Sequence, residues 1–235
     1  AIAFVRQASL PNTAETSTLT LSFDATSCDF IALNVHLGLA TGQVPDTVTY
    51  NGVAATLVKD SGNSAALLRT LMYYVKGPAT GTHDYVVVIP GSSTQRWGLS
   101  AVGYSGVDQT TPIGTGVSAV SAITATATVD AASATGELVI DAVSAWENST
   151  DAMTVDAGQA ERINTGVALS SGPRMGCSEE AGATTVTMSW TLAGTTDWAI
   201  CAVPLKPASS AGPLSDDASP RSTAYDEDWL VTGYR

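Results

Sequence analysis

Between residues 17 and 23, apolar and hydroxyl side chains alternate: Leu19, Leu21 and Phe23 against Thr18, Thr20 and Ser22. A period of two sends successive side chains to opposite faces of an extended chain, so this segment predicts a half-buried β-strand. The same β-rich texture recurs at 30–37, 47–50, 54–59, 67–75, 85–89, 96–104, 123–129, 137–145, 152–155, 161–163, 167–175, 184–190 and 197–205, with Gly, Pro, Asn and Asp punctuating the gaps. Asn51-Gly52 between two such runs predicts a two-residue hairpin turn. Residues 85–89, Tyr-Val-Val-Val-Ile, are apolar on both faces and predict a central strand, since an exposed one would invite aggregation. No stretch of ten or more residues carries a helical period. The pattern therefore predicts an all-β protein, a two-sheet sandwich or jelly-roll-like barrel.

The two ends read differently from the middle. Residues 1–9 predict one short strand, joined by a polar, proline-containing tether at 10–17 to the domain at 18–207. Strict alternation places Ile2 and Phe4 on one face with Arg6 and Ala8, and Ala1, Ala3, Val5 and Gln7 on the other. Ile2, Phe4 and Val5 are its apolar anchors, each contributing about 1.5–3 kcal/mol if fully buried. Nine residues at roughly 3.3 Å each span about 30 Å, enough to cross a sheet. A strand on a tether can complete its own fold or a neighbour's. Residues 208–235 form a polar, acidic tail whose anchors are Trp229, Leu230, Val231 and Tyr234, docking on the parent domain or on a neighbour.

Of 235 residues, 44% are hydrophobic and only 14% charged, with a formal net charge of −12. The remainder is largely Ser, Thr, Gly and Asn, a profile suited to a secreted β-protein. Such a surface repels phosphate, which argues against nucleic acid and anionic lipid as partners. No apolar run reaches the roughly 20 residues that span a bilayer as a helix, so no membrane insertion is expected. The chain opens on Ala1, which leads to the expectation of a removed signal peptide and an extracellular or cell-surface location. Cys28, Cys177 and Cys201 are an odd set, so at least one thiol is unpaired or bonded to another chain, and the sequence leaves the pairing open.

Catalytic chemistry is sparse. His36 and His83 have no nucleophile at a recognisable spacing, and Gly103-Tyr104-Ser105-Gly106 is one residue short of a nucleophile elbow. The 22 acidic residues are scattered, often one per turn. They give neither a glycosidase pair nor a zinc or EF-hand pattern. The expectation is a non-enzyme with no cofactor, one surface Ca²⁺ being the sole alternative. Trp146 is the best-placed aromatic for stacking on a sugar, and Asn148 opens an Asn-Ser-Thr glycan-acceptor pattern.

Several stretches together carry a resemblance: Val-Thr-Tyr-Asn-Gly-Val at 48–53, Tyr-Tyr-Val-Lys-Gly-Pro-Ala-Thr-Gly-Thr-His at 73–83, the segment 104–114, Ala-Thr-Gly-Glu-Leu-Val at 134–139, Met-Ser-Trp-Thr-Leu at 188–192 and the segment 198–207. Residues 1–207 resemble a family of secreted bacterial β-domains of unassigned function, and protomers of environmental pilus-like fibrils that share the fold. The resemblance implies a homopolymer in which the N-terminal strand fills a cleft in another subunit. The tail lies outside the shared pattern, and no catalytic residue is implied. The alternative is a carbohydrate-binding module or adhesin domain with glycans as partners.

Overall fold

The computed structural model describes residues 1–12, 16–38, 43–90, 96–146, 152–167 and 172–209. Every regular element among them is a β-strand: β1 (Ala3–Pro11), β2 (Thr18–Asp24), β3 (Phe30–Gly38), β4 (Thr47–Tyr50), β5 (Val53–Ala54), β6 (Thr56–Asp60), β7 (Arg69–Lys76), β8 (Thr82–Val88), β9 (Arg96–Ser105), β10 (Val117–Ala132), β11 (Leu138–Ala145), β12 (Thr154–Val155), β13 (Ala160–Gly166), β14 (Arg174–Ala181) and β15 (Thr185–Leu205). All pairings are antiparallel.

Strands alternate between two facing sheets through most of the first half. One sheet runs β1-β9-β3-β7-β6 and the other β2-β8-β4-β5. This is a jelly-roll sandwich, and among the described residues no sheet closes on itself as a barrel. Alternation decides what fills it. The odd positions of β3 (Ile31, Leu33, Val35, Leu37) meet Leu19, Leu21 and Phe23 of β2 and Tyr85 and Val87 of β8. As its sequence demands, β8 sits inside its sheet, between β2 and β4. The Asn51-Gly52 turn forms with both residues at positive φ, 51° and 72°, the conformation that a two-residue hairpin requires.

The second half builds the same sandwich again. Its larger sheet runs β10-β15-β11-β14-β13, and β10 and β15 are long enough to fold over that sheet and supply the opposing layer, with β12 paired on β15. The leading half of β10 pairs with residues 198–202 and the trailing half with residues 185–191. Ala127, Val129, Met188 and Trp190 of the folded-over ribbon pack on Val139, Val143 and Ile200.

Strand register aligns the halves residue by residue. Pairing of β3 with β9 runs from Phe30 opposite Tyr104, and pairing of β11 with β15 from Leu138 opposite Leu205. This matches Phe30 with Leu138, His36 with Ser144, Trp97 with Trp198 and Ser100 with Cys201. β6 and β13 carry a bulge at the same place, after Leu57 and after Glu161. Arg69 pairs with Asp60, and its counterpart Arg174 bonds the counterpart of Asp60: Nε to Asn164 Oδ1 at 2.8 Å.

The two sandwiches stack through equivalent sheets. The even positions of β3 (Phe30, Ala32) with Met72, Val102 and Tyr104 meet Ile140, Ala142, Cys177, Cys201 and Val203. The contacts are reciprocal. Thr70 donates to Ala199 O at 2.8 Å, and their counterparts, Met175 and Gly98, are also in contact, with no room for a Cβ on Gly98. Reciprocity of this kind defines an approximate two-fold axis, so the chain is built like an isologous dimer whose two copies are covalently joined.

Three expectations are corrected. The first strand extends to Pro11, two residues into the expected tether. Of the strand expected at 167–175, residues 168–171 lie outside the described residues, and β14 starts at Arg174. The runs at 184–190 and 197–205 are one continuous strand, β15.

Candidate functional site: the slot of the first strand

β1 lies at the edge of the larger sheet of the first sandwich and, among the described residues, pairs only with β9, from Ala3 opposite Ser105 to Pro11 opposite Gly98. The register shifts between Phe4 and Arg6, leaving Val5 as an extra residue. A bulge inverts which parity faces which layer. Ile2 and Phe4 therefore pack into the interface between the sandwiches, while Ala8 and Leu10 pack into the core of the first sandwich. The expectation that Ile2, Phe4, Arg6 and Ala8 share one face is corrected on this ground. Val5 sits at the bulge, and the apolar anchors are Ile2, Phe4, Ala8 and Leu10. Arg6, beyond the bulge, turns to the β2 side.

Both sandwiches grip this strand. On one side Arg6 forms an ion pair with Asp24 at the end of β2 and donates from Nη2 to Thr26 O at 3.0 Å. The Thr26 N–H donates to the other Asp24 oxygen at 2.9 Å. Hydrogen bonds from Thr26, aided by the Arg6 charge, hold the Asp24 carboxyl below its usual range. On the other side the Phe4 ring meets Tyr104 edge-on at 6.4 Å and lies 4.0 Å beneath the Arg162 guanidinium. That guanidinium is itself paired with Glu179 of β14. At the start of the strand, Ala1 O presses so closely on Gly106 that a Cβ there would overlap it. Asp29 fixes the backbone at this point, accepting from Gly106 N at 2.6 Å and Val107 N at 3.2 Å. The linker after β1 is pinned where Trp97 Nε1 donates to Thr16 O at 3.0 Å.

A buried polar cluster lies on the two-fold interface, and sequence reasoning did not find it. His36 Nε2 is 2.9 Å from Ser100 Oγ, and Nδ1 is 3.1 Å from Ser144 Oγ. Ser144 Oγ bonds Thr70 Oγ1 at 2.7 Å, and Asn34 Nδ2 donates to Ser100 Oγ at 3.2 Å. Cys177 Sγ is 3.2 Å from Ser100 Oγ. A hydroxyl beside an imidazole is nucleophile-and-base geometry. Here His36, Ser100, Thr70 and Ser144 are fully enclosed, which makes the cluster an internal strut joining the two sandwiches. Burial pushes the His36 imidazole down to about 3 and the Cys177 thiol up to about 12. The signal available in the sequence was the alternation of β3, which places Asn34 and His36 on the face of Phe30 and Ala32.

The remaining candidates fall out as follows. Cys28, Cys177 and Cys201 are all free thiols, the last two buried. Trp146 is half-buried and pinned: Nε1 donates to Ala66 O at 3.0 Å, and its ring fills the space beside Gly38. It is a joint between the halves. Trp97, Trp190 and Trp198 are core residues. A shallow polar groove crosses β4 and β8, lined by Thr49, Asn51, Thr82, His83 and Asp84 among others. Among the described residues, no three His, Cys, Asp or Glu side chains converge to hold a metal. Asn148, Trp229, Leu230, Val231 and Tyr234 lie outside the described residues.

Comparison of the chain with protein-family models, curated proteins and solved structures finds no match.

Proposed function

We propose that this chain is a structural subunit of an extracellular, pilus-like filament, polymerised when β1 of one copy occupies the β9 edge of the next. The observation that carries this reading is how β1 is attached. Among the described residues it pairs with β9 alone, at the edge of its sheet, and residues 12–17 separate it from β2. Its counterpart, the leading half of β10, runs without a linker into the trailing half of the same strand. Exchange between copies replaces each contact of β1 with an identical one, so it costs little beyond association entropy. One exchangeable strand and one matching slot per copy make a heterologous contact, which propagates into a fibre or closes as a ring. The linker reaches about 20 Å at roughly 3.5 Å per residue, so donor and acceptor sit side by side. The net charge of −12 opposes contact at long range and is screened within about 8–10 Å by physiological salt.

The test is a reversible lock. Ala3 and Ser105 face each other across the pair, and an Ala3→Cys, Ser105→Cys double variant oxidised as a monomer ties β1 into its own sheet. Electron microscopy should show filaments from the wild type, none from the oxidised variant, and filaments again after reduction. Filaments formed by the oxidised monomer would remove the reading.

A second reading, a carbohydrate-binding or adhesin domain, is favoured by the groove over β4 and β8, where hydroxyl, amide and carboxylate groups suited to sugar hydroxyls converge. Loss of glycan-array binding in Asp84→Ala would support it, and an empty array would dismiss it.

A further inference from the structure

The two-fold repeat supplies an internal control for the slot of β1, because the fold contains that slot twice. Register places Phe4 in correspondence with Ile113, which bridges to Leu205 as Phe4 pairs with Tyr104. Ala8 corresponds to Val117, and counting back between these points matches Arg6 with Thr115. On the walls, Asp24 corresponds to Ala132, Arg162 to Val58, and Glu179 to Tyr74. The β1 slot is thus gripped by two ion pairs, Arg6–Asp24 and Arg162–Glu179, with Phe4 seated on the second. The equivalent slot around β10 carries Thr115, Ala132, Val58, Tyr74 and Ile113. Both ion pairs are missing from the slot whose strand runs on, without a linker, into the opposing layer.

The charged contacts are also poor candidates for stability alone. Arg6 and Asp24 side chains are 34% and 38% exposed, where solvent screening leaves an ion pair little energy. Arg6 Nε, Arg162 Nε and Glu179 Oε2 are buried without a hydrogen-bond partner. A set of charges that adds little stability still discriminates strongly between strands, since a wrong partner leaves them unpaired or opposes like charges. The receptor half is organised in advance: the Thr26 N–H orients the Asp24 carboxylate, and Thr26 O waits for the second guanidinium nitrogen.

We propose that the Arg6–Asp24 and Phe4–Arg162–Glu179 contacts are an address that admits into the β9 edge slot only a strand with an aromatic residue at position 4, a bulge, and an arginine at position 6, which is the first strand of a second copy of this chain. This rests on the exchange reading above and specifies its partner selection.

A charge swap tests it. Arg6→Asp and Asp24→Arg subunits are each mismatched with themselves. Mixed, each donates a strand that matches the other's slot. Seeded elongation should slow about three- to ten-fold for either variant alone. It should return to the wild-type rate in the equimolar mixture and in the Arg6→Asp, Asp24→Arg double variant. Rescue by mixing also shows that each variant is folded. An Arg6→Thr, Asp24→Ala variant, copying the fixed slot, should elongate and lose its preference for a 1–12 peptide over the same peptide carrying Arg6→Asp. If every variant elongates at the wild-type rate through β1, the address is overturned and exchange stands. If the double variant recovers while the mixture does not, the pairing acts only within one chain and the address between copies is overturned. If the wild type forms no filaments, the exchange reading fails first.

Discussion

His36 and Ser144 occupy the same position in the two sandwiches and hydrogen-bond to each other across the interface, Nδ1 to Oγ at 3.1 Å. A position that touches its own counterpart marks the axis. The two members of that position are different and complementary: an imidazole and a hydroxyl.

That enclosure makes His36 a reporter of acid stability, opposed by a second buried group. Burial holds the imidazole down at about 3 in the folded chain and holds the Asp141 carboxyl up at about 7, although Trp190 Nε1 and Ser178 N donate to it. The His36 contribution is complete above the unfolded value near 6.5 and is lost as pH falls toward 3. The Asp141 contribution is complete below the unfolded value of 3.8 and is lost as pH rises toward 7. Each changes by about 1.4 kcal/mol per pH unit, in opposite senses. Urea titrations of the wild type between pH 4 and 6.5 should therefore give a nearly flat stability, His36→Asn a stability that falls with pH, and Asp141→Asn one that rises. A His36→Asn profile parallel to that of the wild type would show that the ring is not held neutral by burial.

The axis predicts a coupled pair at Gly98 and Met175. A methyl group at position 98 would overlap the Met175 sulfur and press on Leu10 O at 3.0 Å. Gly98→Ala should cost about 1–3 kcal/mol, the usual range for overpacking. Part of that loss should vanish in a Met175→Ala background, as a double-mutant cycle of melting experiments would show. Additive losses would place the strain on Leu10 alone.

Thiol reactivity should sort the cysteines by burial. Burial raises all three thiols, most strongly the enclosed Cys177 and Cys201, and only Cys28 has part of its surface open. Ellman's reagent should titrate one slow thiol in the native chain and three in denaturant. Three from the start would mean that the two-fold interface is open in solution.

Trp146 should behave as a structural joint. With its Nε1 bonded to Ala66 O and its carbonyl accepting from Thr196 Oγ1 at 2.6 Å, Trp146→Ala should lower stability by about 1–3 kcal/mol. Any glycan binding through the β4–β8 groove should be untouched. Loss of binding at unchanged stability would restore the stacking role expected from its sequence context.

Much of this fold was legible where one face meets a core and the other meets water, because alternation then reports burial directly. The pattern of β2, the Asn51-Gly52 turn and the central place of β8 follow from it. Legibility failed where strands are covered on both faces. β14 reads Arg-Met-Gly-Cys-Ser-Glu-Glu-Ala, a poor strand on pattern, yet Arg174, Ser178 and Glu179 are buried in its layer with polar partners. Its Gly176 is required by space, since a Cβ would meet Met153, Val143 and Trp190 within 2.9 Å. The repeat was hidden because few paired positions carry the same residue, Trp97/Trp198 and Ala101/Ala202 among them. The Val5 bulge left no mark in the sequence, although its counterpart is Gly114.

The fused axis has a consequence for growth. A genuinely symmetric pair of sandwiches would offer two equal slots, and any fibre made from it would read the same from either end or would branch. In the proposed exchange one slot is filled from within and the other is shared, so a fibre built through β1 has an arrow. One tip presents an unoccupied cleft and the other an unplaced strand, and the two tips must add subunits at different rates.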